Sequence, residues 1–156
     1  MQIRYATKAD CAVMVALMQD AFSQYKEEPV PSSALFETEH DVKCAFDNGE
    51  RALIIENASE IVGMVRYQLV EDSLYFHRLA IRREHQTKGY AKKLLIELEL
   101  EAISEGKNYV RCRVRANSPK SLALYVNFGY KQYAEQWVEK SGGQQVLVAL
   151  LEKSLL

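Results

Sequence analysis

The segment Gln86-Thr87-Lys88-Gly89-Tyr90-Ala91 has the residue types of an anion cradle. It lies between a strand-like run and a helix-like one. Successive backbone N–H groups therefore turn outward at a helix start, where the helix dipole adds positive potential. Such a place suits a pyrophosphate. Gly89 lets the backbone approach a phosphate closely, and Ala91 keeps the turn slim. The spacing alone is common, and a glycine that merely starts a helix reads the same way. The basic neighbours Arg82, Arg83, Lys88, Lys92 and Lys93 strengthen the anion reading. His77, upstream on the same run, carries a ring whose ordinary pKa suits proton transfer near neutrality. A structural histidine on a half-buried strand gives the same pattern. His40 and His85 sit in polar contexts and read as surface residues. Cys11, Cys44 and Cys112 are odd in number and widely spaced, so they form neither a zinc pattern nor a disulfide framework. No metal is expected, and reduced thiols in a cytoplasmic protein are. Cys112 lies between Val110 and Val114 on one strand face and reads as core rather than as a nucleophile.

Elements must hold these groups in place. Gln2 to Tyr5 alternates as a first strand. Thr7 offers an N-cap with Asp10 in the capping-box position, and Val13, Met14, Leu17, Met18 and Ala21 recur at helical spacing over residues 8–23. Residues 26–33 read as a loop. A second helix is expected over about 39–48, stopped by Asn48-Gly49. Residues 51–56, 61–70 and 74–81 then read as three strands joined by short turns, an antiparallel meander. Ala91, Leu94, Leu95, Leu98 and Ala102 form the stripe of a helix from Gly89 to about Glu105, ended by Gly106. Tyr109 to Arg115 alternates with Val110, Cys112 and Val114 on one face and arginines on the other. Strand, helix and strand in succession predict a right-handed parallel crossover. Ser118-Pro119 opens a short helix to about Asn127, and residues 130–139 and 144–151 read as two final strands.

The chain has 156 residues, enough for one domain over 1–156 with a sizeable core. Its formal net charge is -1, with 48% hydrophobic and 26% charged residues. That balance excludes a simple nucleic-acid binder, yet it hides a split. Residues 78–120 hold eleven Lys/Arg and five Asp/Glu, against nine and sixteen elsewhere. A basic middle in a neutral protein complements a small polyanion. Met1 to Tyr5 has no apolar stretch of signal-peptide length, and the longest apolar run, Val146 to Leu151, is too short to cross a bilayer, so no membrane partner is expected.

The strand Leu74–Ile81, the loop Gln86–Ala91, the helix after it, Asn117, Tyr125 and Phe128-Gly129-Tyr130 follow one another in a recognisable order. In order and spacing the sequence resembles the GNAT superfamily of N-acetyltransferases over about residues 50–139. The resemblance implies an α+β fold: a mixed, largely antiparallel sheet with flanking helices and one parallel β-α-β crossover, splayed to hold CoA. It implies acetyl-CoA as cosubstrate. Leu79, Ala80 and Ile81 would then pair with the pantetheine arm through their backbone, and Gln86, Thr87, Lys88, Gly89, Tyr90 and Ala91 would hold the pyrophosphate. Asn117 would bond the pantetheine, and Tyr125 would sit at the sulfur as general acid. A backbone N–H near Leu79 would meet the carbonyl oxygen. In isolation, Tyr125 within Leu122-Ala123-Leu124-Tyr125 reads as a core aromatic. Some family members carry a glutamate base at the position of Tyr75, and this sequence departs from them there. His77, on the same face, is the candidate base; Glu28 and a water chain are the alternatives. Tyr133 and Trp137 either line the acceptor side or belong to the core. The resemblance implies a small-molecule or peptide amine as acceptor and self-association into a homodimer, with no nucleic acid involved. Two other readings stay open: a CoA-thioester-binding module without turnover, and a generic phosphate- or nucleotide-binding domain.

Overall fold

The computed structural model describes residues 1–25, 31–140 and 142–156. Strand β1 (Gln2–Tyr5) leads into a 3-10 turn at Lys8–Asp10 and helix α1 (Cys11–Phe22). The Thr7 backbone N–H donates to Asp10 Oδ2 at 2.8 Å, as the capping-box spacing predicts. The helix expected over 8–23 is thus realised as a tight turn, α1 and a second 3-10 turn at Ser23–Tyr25. Helix α2 (Glu39–Asp47) starts at a full capping box: Asp41 N–H donates to Thr38 Oγ1 at 3.2 Å and Thr38 N–H to Asp41 Oδ2 at 2.9 Å. It ends at Asn48-Gly49, where Gly49 takes φ +96°. A 3-10 turn at Ser33–Phe36 has no counterpart in the periodicity.

The remaining elements are β2 (Arg51–Asn57), β3 (Glu60–Val70), β4 (Ser73–Ile81), α3 (Tyr90–Ser104), β5 (Tyr109–Arg115), α4 (Pro119–Asn127), β6 (Lys131–Glu139) and β7 (Gln145–Ser154). Hydrogen bonding orders the strands β1-β2-β3-β4-β5-β7-β6. The fold is mixed α+β, with a mostly antiparallel sheet and one parallel pair, as expected. Among the described residues no helix is long and apolar enough to cross a membrane.

The chain packs as two compact units. The first comprises residues 1–68 and 76–97. Its core sets Cys11, Met14, Leu17, Met18 and Ala21 of α1 and Val42 of α2 against Ala52, Ile54, Met64 and Ala80 of the strands. β1 and β3 each pair antiparallel with β2, with a register shift at Ile55/Glu56. Gly63 on β3 has no room for a side chain. A Cβ there would stand 2.5 Å from Ile81 Cδ1, 3.0 Å from Ile55 Cγ2 and 3.2 Å from the Ala80 carbonyl oxygen. Gly63→Ala should therefore destabilise the fold by about 1–3 kcal/mol through overpacking against Ile81. Urea denaturation reads the effect, and an unchanged midpoint would show that Ile81 moves away freely.

The second unit comprises residues 69–75 and 98–156. Ser73, Leu74 and Tyr75 pair in parallel with Tyr109, Val110 and Arg111, the outcome predicted for the crossover. β5 and β6 each pair antiparallel with β7. Val110 and Cys112 are buried with Leu98, Ala102, Tyr125, Tyr130 and Leu151, as the alternation predicts. On the other face Arg111 pairs with Glu152 at 2.9 Å and Asp72 at 3.3 Å. Tyr133 and Trp137 are 50% and 63% exposed, so the reading that places them in the core is wrong. β6 lies at the end of the strand order, and its side chains stay largely in solvent.

Candidate active site

The first unit carries the loop between β4 and α3. Gln86 Nε2 donates to the Ile81 carbonyl at 3.1 Å and so ties the loop to the end of β4. Tyr90, the first residue of α3, accepts at its hydroxyl from Asn57 Nδ2 at 3.0 Å. Between these anchors Thr87 takes φ +65° and Gly89 φ +88°. Left-handed backbone is rare for a β-branched residue, and strain of this kind concentrates at ligand-binding turns. Such left-handed residues turn backbone N–H groups toward one concavity, the geometry that holds phosphates. A Cβ added at Gly89 would meet nothing within 4 Å, so the space over the loop is open. The first helical bond, Lys93 N–H to the Gly89 carbonyl at 3.2 Å, leaves the N–H groups before Lys93 without helical partners. Thr87, Lys88 and Gly89 are exposed, while Gln86, Tyr90 and Ala91 are half-buried. These residues fit a pyrophosphate.

The basic neighbours divide. Arg82 is structural, donating from Nε to the Ile61 carbonyl at 2.8 Å. Arg83 uses its backbone N–H on Asp20 Oδ2 at 2.9 Å. Lys93 lies over the Tyr90 ring, 5.6 Å from its centroid. Lys88 and Lys92 are exposed. His85 is not the surface residue its polar context predicts: only 16% of its side chain is exposed, and its Nε2 lies 3.5 Å from Glu60 and 3.6 Å from Glu84. His40 is exposed, with Cys44 Sγ 3.4 Å away.

Upstream on β4, Leu79 is half-buried and Ala80 and Ile81 are buried. Arg78 takes φ +55° in the middle of the strand, a local kink for a side chain of this size. Its guanidinium anchors the kink, donating from Nε to Glu37 Oε1 at 2.7 Å and from Nη2 to Ser33 Oγ at 3.0 Å. His77 precedes it. His77 Nε2 lies 2.6 Å from Glu50 Oε1. Arg66 completes the set, donating from Nε to Glu50 Oε2 at 2.6 Å and from Nη1 to Glu37 Oε2 at 2.8 Å. Arg66 and Glu50 are 2% and 5% exposed. Burial pushes the Glu50 carboxyl up, but hydrogen bonds from His77 and Arg66 outweigh it and hold the group below the usual carboxylate range. Glu37 behaves the same way: burial raises it, and Arg66 and Arg78 bring it down further. Arg66, in turn, is lowered by burial and raised more by the two carboxylates.

Glu37, Glu50, Arg66 and Arg78 were not singled out by spacing. One signal could have found them: a charged Arg66 inside the apolar run Ile61–Val70 must have buried partners. Glu28, the alternative base, lies outside the described residues.

In the second unit Tyr125 is buried on α4, 8% exposed, with its ring edge-on to Tyr130 at 5.8 Å between centroids. Its carbonyl accepts from the N–H groups of Phe128 and Tyr130, both at 3.0 Å, which closes the helix. Burial pushes the Tyr130 phenol far above its ordinary range. Burial does the same to the Cys112 thiol, which agrees with a core role and not a nucleophilic one. Asn117 is exposed in the turn between β5 and α4. Ala116 N–H to Leu147 and Ser118 N–H to Arg115, both at 3.0 Å, hold that turn.

Three solved structures illustrate the likeness. The ribosomal-protein-alanine N-acetyltransferase of Brucella melitensis superposes with a TM-score of 0.76 at 21% identity, covering 99% of this chain and 100% of that one. A Salmonella typhimurium protein solved with its cofactor acetyl-CoA gives 0.74 at 20%, over 100% and 94%. A spermidine N-acetyltransferase chimera from Vibrio cholerae gives 0.77 at 22%, over 98% and 94%. At these identities the likeness is one of fold. No curated protein matches the sequence. The model of the Acetyltransferase (GNAT) family matches residues 14–130, three quarters of the chain, in both units. With the loop, β4 and α4 all inside that span, the chain belongs to the GNAT acetyltransferase family.

Proposed function

We propose that this chain is an N-acetyltransferase that moves the acetyl group of acetyl-CoA to a primary amine by direct attack in a ternary complex. The observation that carries the proposal is the loop Gln86–Ala91, with left-handed Thr87 and Gly89 ahead of α3 and open space above Gly89. Acetyl-CoA supplies an acetyl group activated as a thioester. The loop backbone holds the pyrophosphate, the backbone of Leu79, Ala80 and Ile81 pairs with the pantetheine arm, and Asn117 bonds it. A lysine-type amine has a pKa of about 10.4, so at neutral pH it must lose a proton to attack. His77 accepts that proton, directly or through water. As the new C–N bond forms and the C–S bond breaks, Tyr125 gives its phenolic proton to the departing sulfur, and the second proton shed by the nitrogen restores the phenol through solvent. The acceptor is a small-molecule or peptide amine.

Thiol release from acetyl-CoA, followed across a panel of polyamines, amino acids and peptides with free N-termini, tests the function. At least one amine should give release matched by acetylated product. Binding of acetyl-CoA with no release from any amine would instead make the chain a binding module, and binding of nucleotides in preference to CoA would remove both readings. Tyr125→Phe should lower kcat by about 10²-fold, the usual range for a lost general acid, with acetyl-CoA affinity nearly unchanged. An unaltered kcat would take Tyr125 out of the chemistry.

A further inference from the structure

The network around His77 holds more order than a proton acceptor alone requires. Glu50 is nearly inaccessible just ahead of β2, yet both of its carboxylate oxygens are used, Oε2 by Arg66 and Oε1 by His77, each at 2.6 Å. An ionised carboxylate only accepts hydrogen bonds. The hydrogen in the His77 contact therefore sits on Nε2, and in the neutral ring Nδ1 is left as the basic nitrogen. Arg66 is itself held from the far side by Glu37, and Glu37 by Arg78, the next residue after His77. The chain His77–Glu50–Arg66–Glu37–Arg78 thus starts and ends on adjacent residues of β4. It braces the histidine from β2 and β3 at once, and Arg78 sits at the strand's kink.

We infer that Glu50 is a positioning residue for the transfer reaction: it fixes the His77 ring in the Nε2–H tautomer, presents Nδ1 as the proton acceptor and stabilises the imidazolium formed there. Arg66 keeps Glu50 ionised and in place. This rests on the assignment of His77 as base. In the step, the amine's proton passes to Nδ1 while Nε2 keeps its hydrogen bonded to Glu50, and the proton later leaves to solvent. Glu50 itself is never protonated. The charged groups of the network are Glu50, Arg66, Glu37 and Arg78.

The test combines pH–rate profiles with nitrogen NMR of the His77 ring, on the full chain. Glu50→Gln presents His77 with an amide that either accepts or donates, and it removes the negative charge. The kcat should fall about 10–100-fold, part of the contribution of a general base. The acid limb of the profile should move to lower pH, because an opposite charge beside the ring is gone. In a His77→Gln background the same substitution should cost no further rate. An equal loss in both backgrounds, or an unmoved acid limb in a variant whose limb still depends on His77, would overturn the inference while leaving His77 as base. A His77→Gln variant with unaltered rate and limb would overturn the base assignment itself. The unaltered protein supplies a readout that needs no variant to fold: in its neutral form the His77 ring should show the hydrogen on Nε2. A ring protonated at Nδ1 instead would refute the tautomer and the inference with it.

Discussion

Arg66→Met should destabilise the fold by about 3–5 kcal/mol at pH 7, the cost of removing one partner from a buried ion pair. Arg66 is 2% exposed and neutralises two carboxylates with bonds of 2.6 and 2.8 Å. Methionine is close in length to the arginine stem, so lost packing contributes little; what goes is the guanidinium, whose Nη1 also donates to Met18 Sδ at 3.7 Å. The loss is chiefly electrostatic. Among the described residues, Glu50 then keeps its contact with His77 and Glu37 its bond from Arg78. The pH dependence follows from the direction of the shifts. Both carboxyls sit below their unfolded value in the native chain, so they contribute stability that is full above about pH 4.3 and lost as pH falls through their folded values. The gap between native and variant should therefore be widest near neutrality and shrink in acid, where neutral carboxyls need no counter-charge. Urea denaturation at a series of pH values reads both. A neutral-pH cost below about 1 kcal/mol, the range of a surface pair, would refute the buried-network account.

Gly89→Glu should weaken acetyl-CoA binding at least 100-fold, which corresponds to about 2.7 kcal/mol. Two effects add. The backbone at φ +88° disfavours any side chain, by about 1 kcal/mol. The larger effect is a carboxylate placed over a concavity whose open space and N–H groups would otherwise meet a phosphate. Gly89→Ala separates them, since a methyl there touches nothing within 4 Å and brings only the backbone strain. Titration calorimetry should rank the affinities native, alanine, glutamate, with the larger gap at glutamate. Native affinity in the glutamate variant would remove the loop from the cofactor site.

Most of the scaffold was legible because its signals are local. The stripe from Ala91 to Ala102 identifies α3, and Gly106 at φ +71° marks its stop. Pro119 begins α4, and the alternation of β5 separates Val110 and Cys112 from the arginines. The loop Gln86–Ala91 was legible for the same reason, since glycine next to a helical stripe is a pattern of adjacent residues. The alternative that placed Tyr133 and Trp137 in the core failed because an aromatic residue carries no mark of whether its strand lies at an edge. His85 was misread in the opposite sense: its polar neighbours along the chain do not describe Glu60, which reaches it from β3.

The sequence by itself determined the elements, the mixed sheet with its one crossover, the placement of basic charge within residues 78–120 and the resemblance to an acetyltransferase family. All of these rest on spacing within a few tens of residues. Only the tertiary structure decided the company His77 keeps. Glu50 is twenty-seven residues away along the chain and Arg66 is sixteen from Glu50, and neither interval belongs to any helical or strand period. Partners at such distances are chosen by the register of β2, β3 and β4. A buried charge must find its opposite wherever the folded backbone brings it, and no local pattern records that choice.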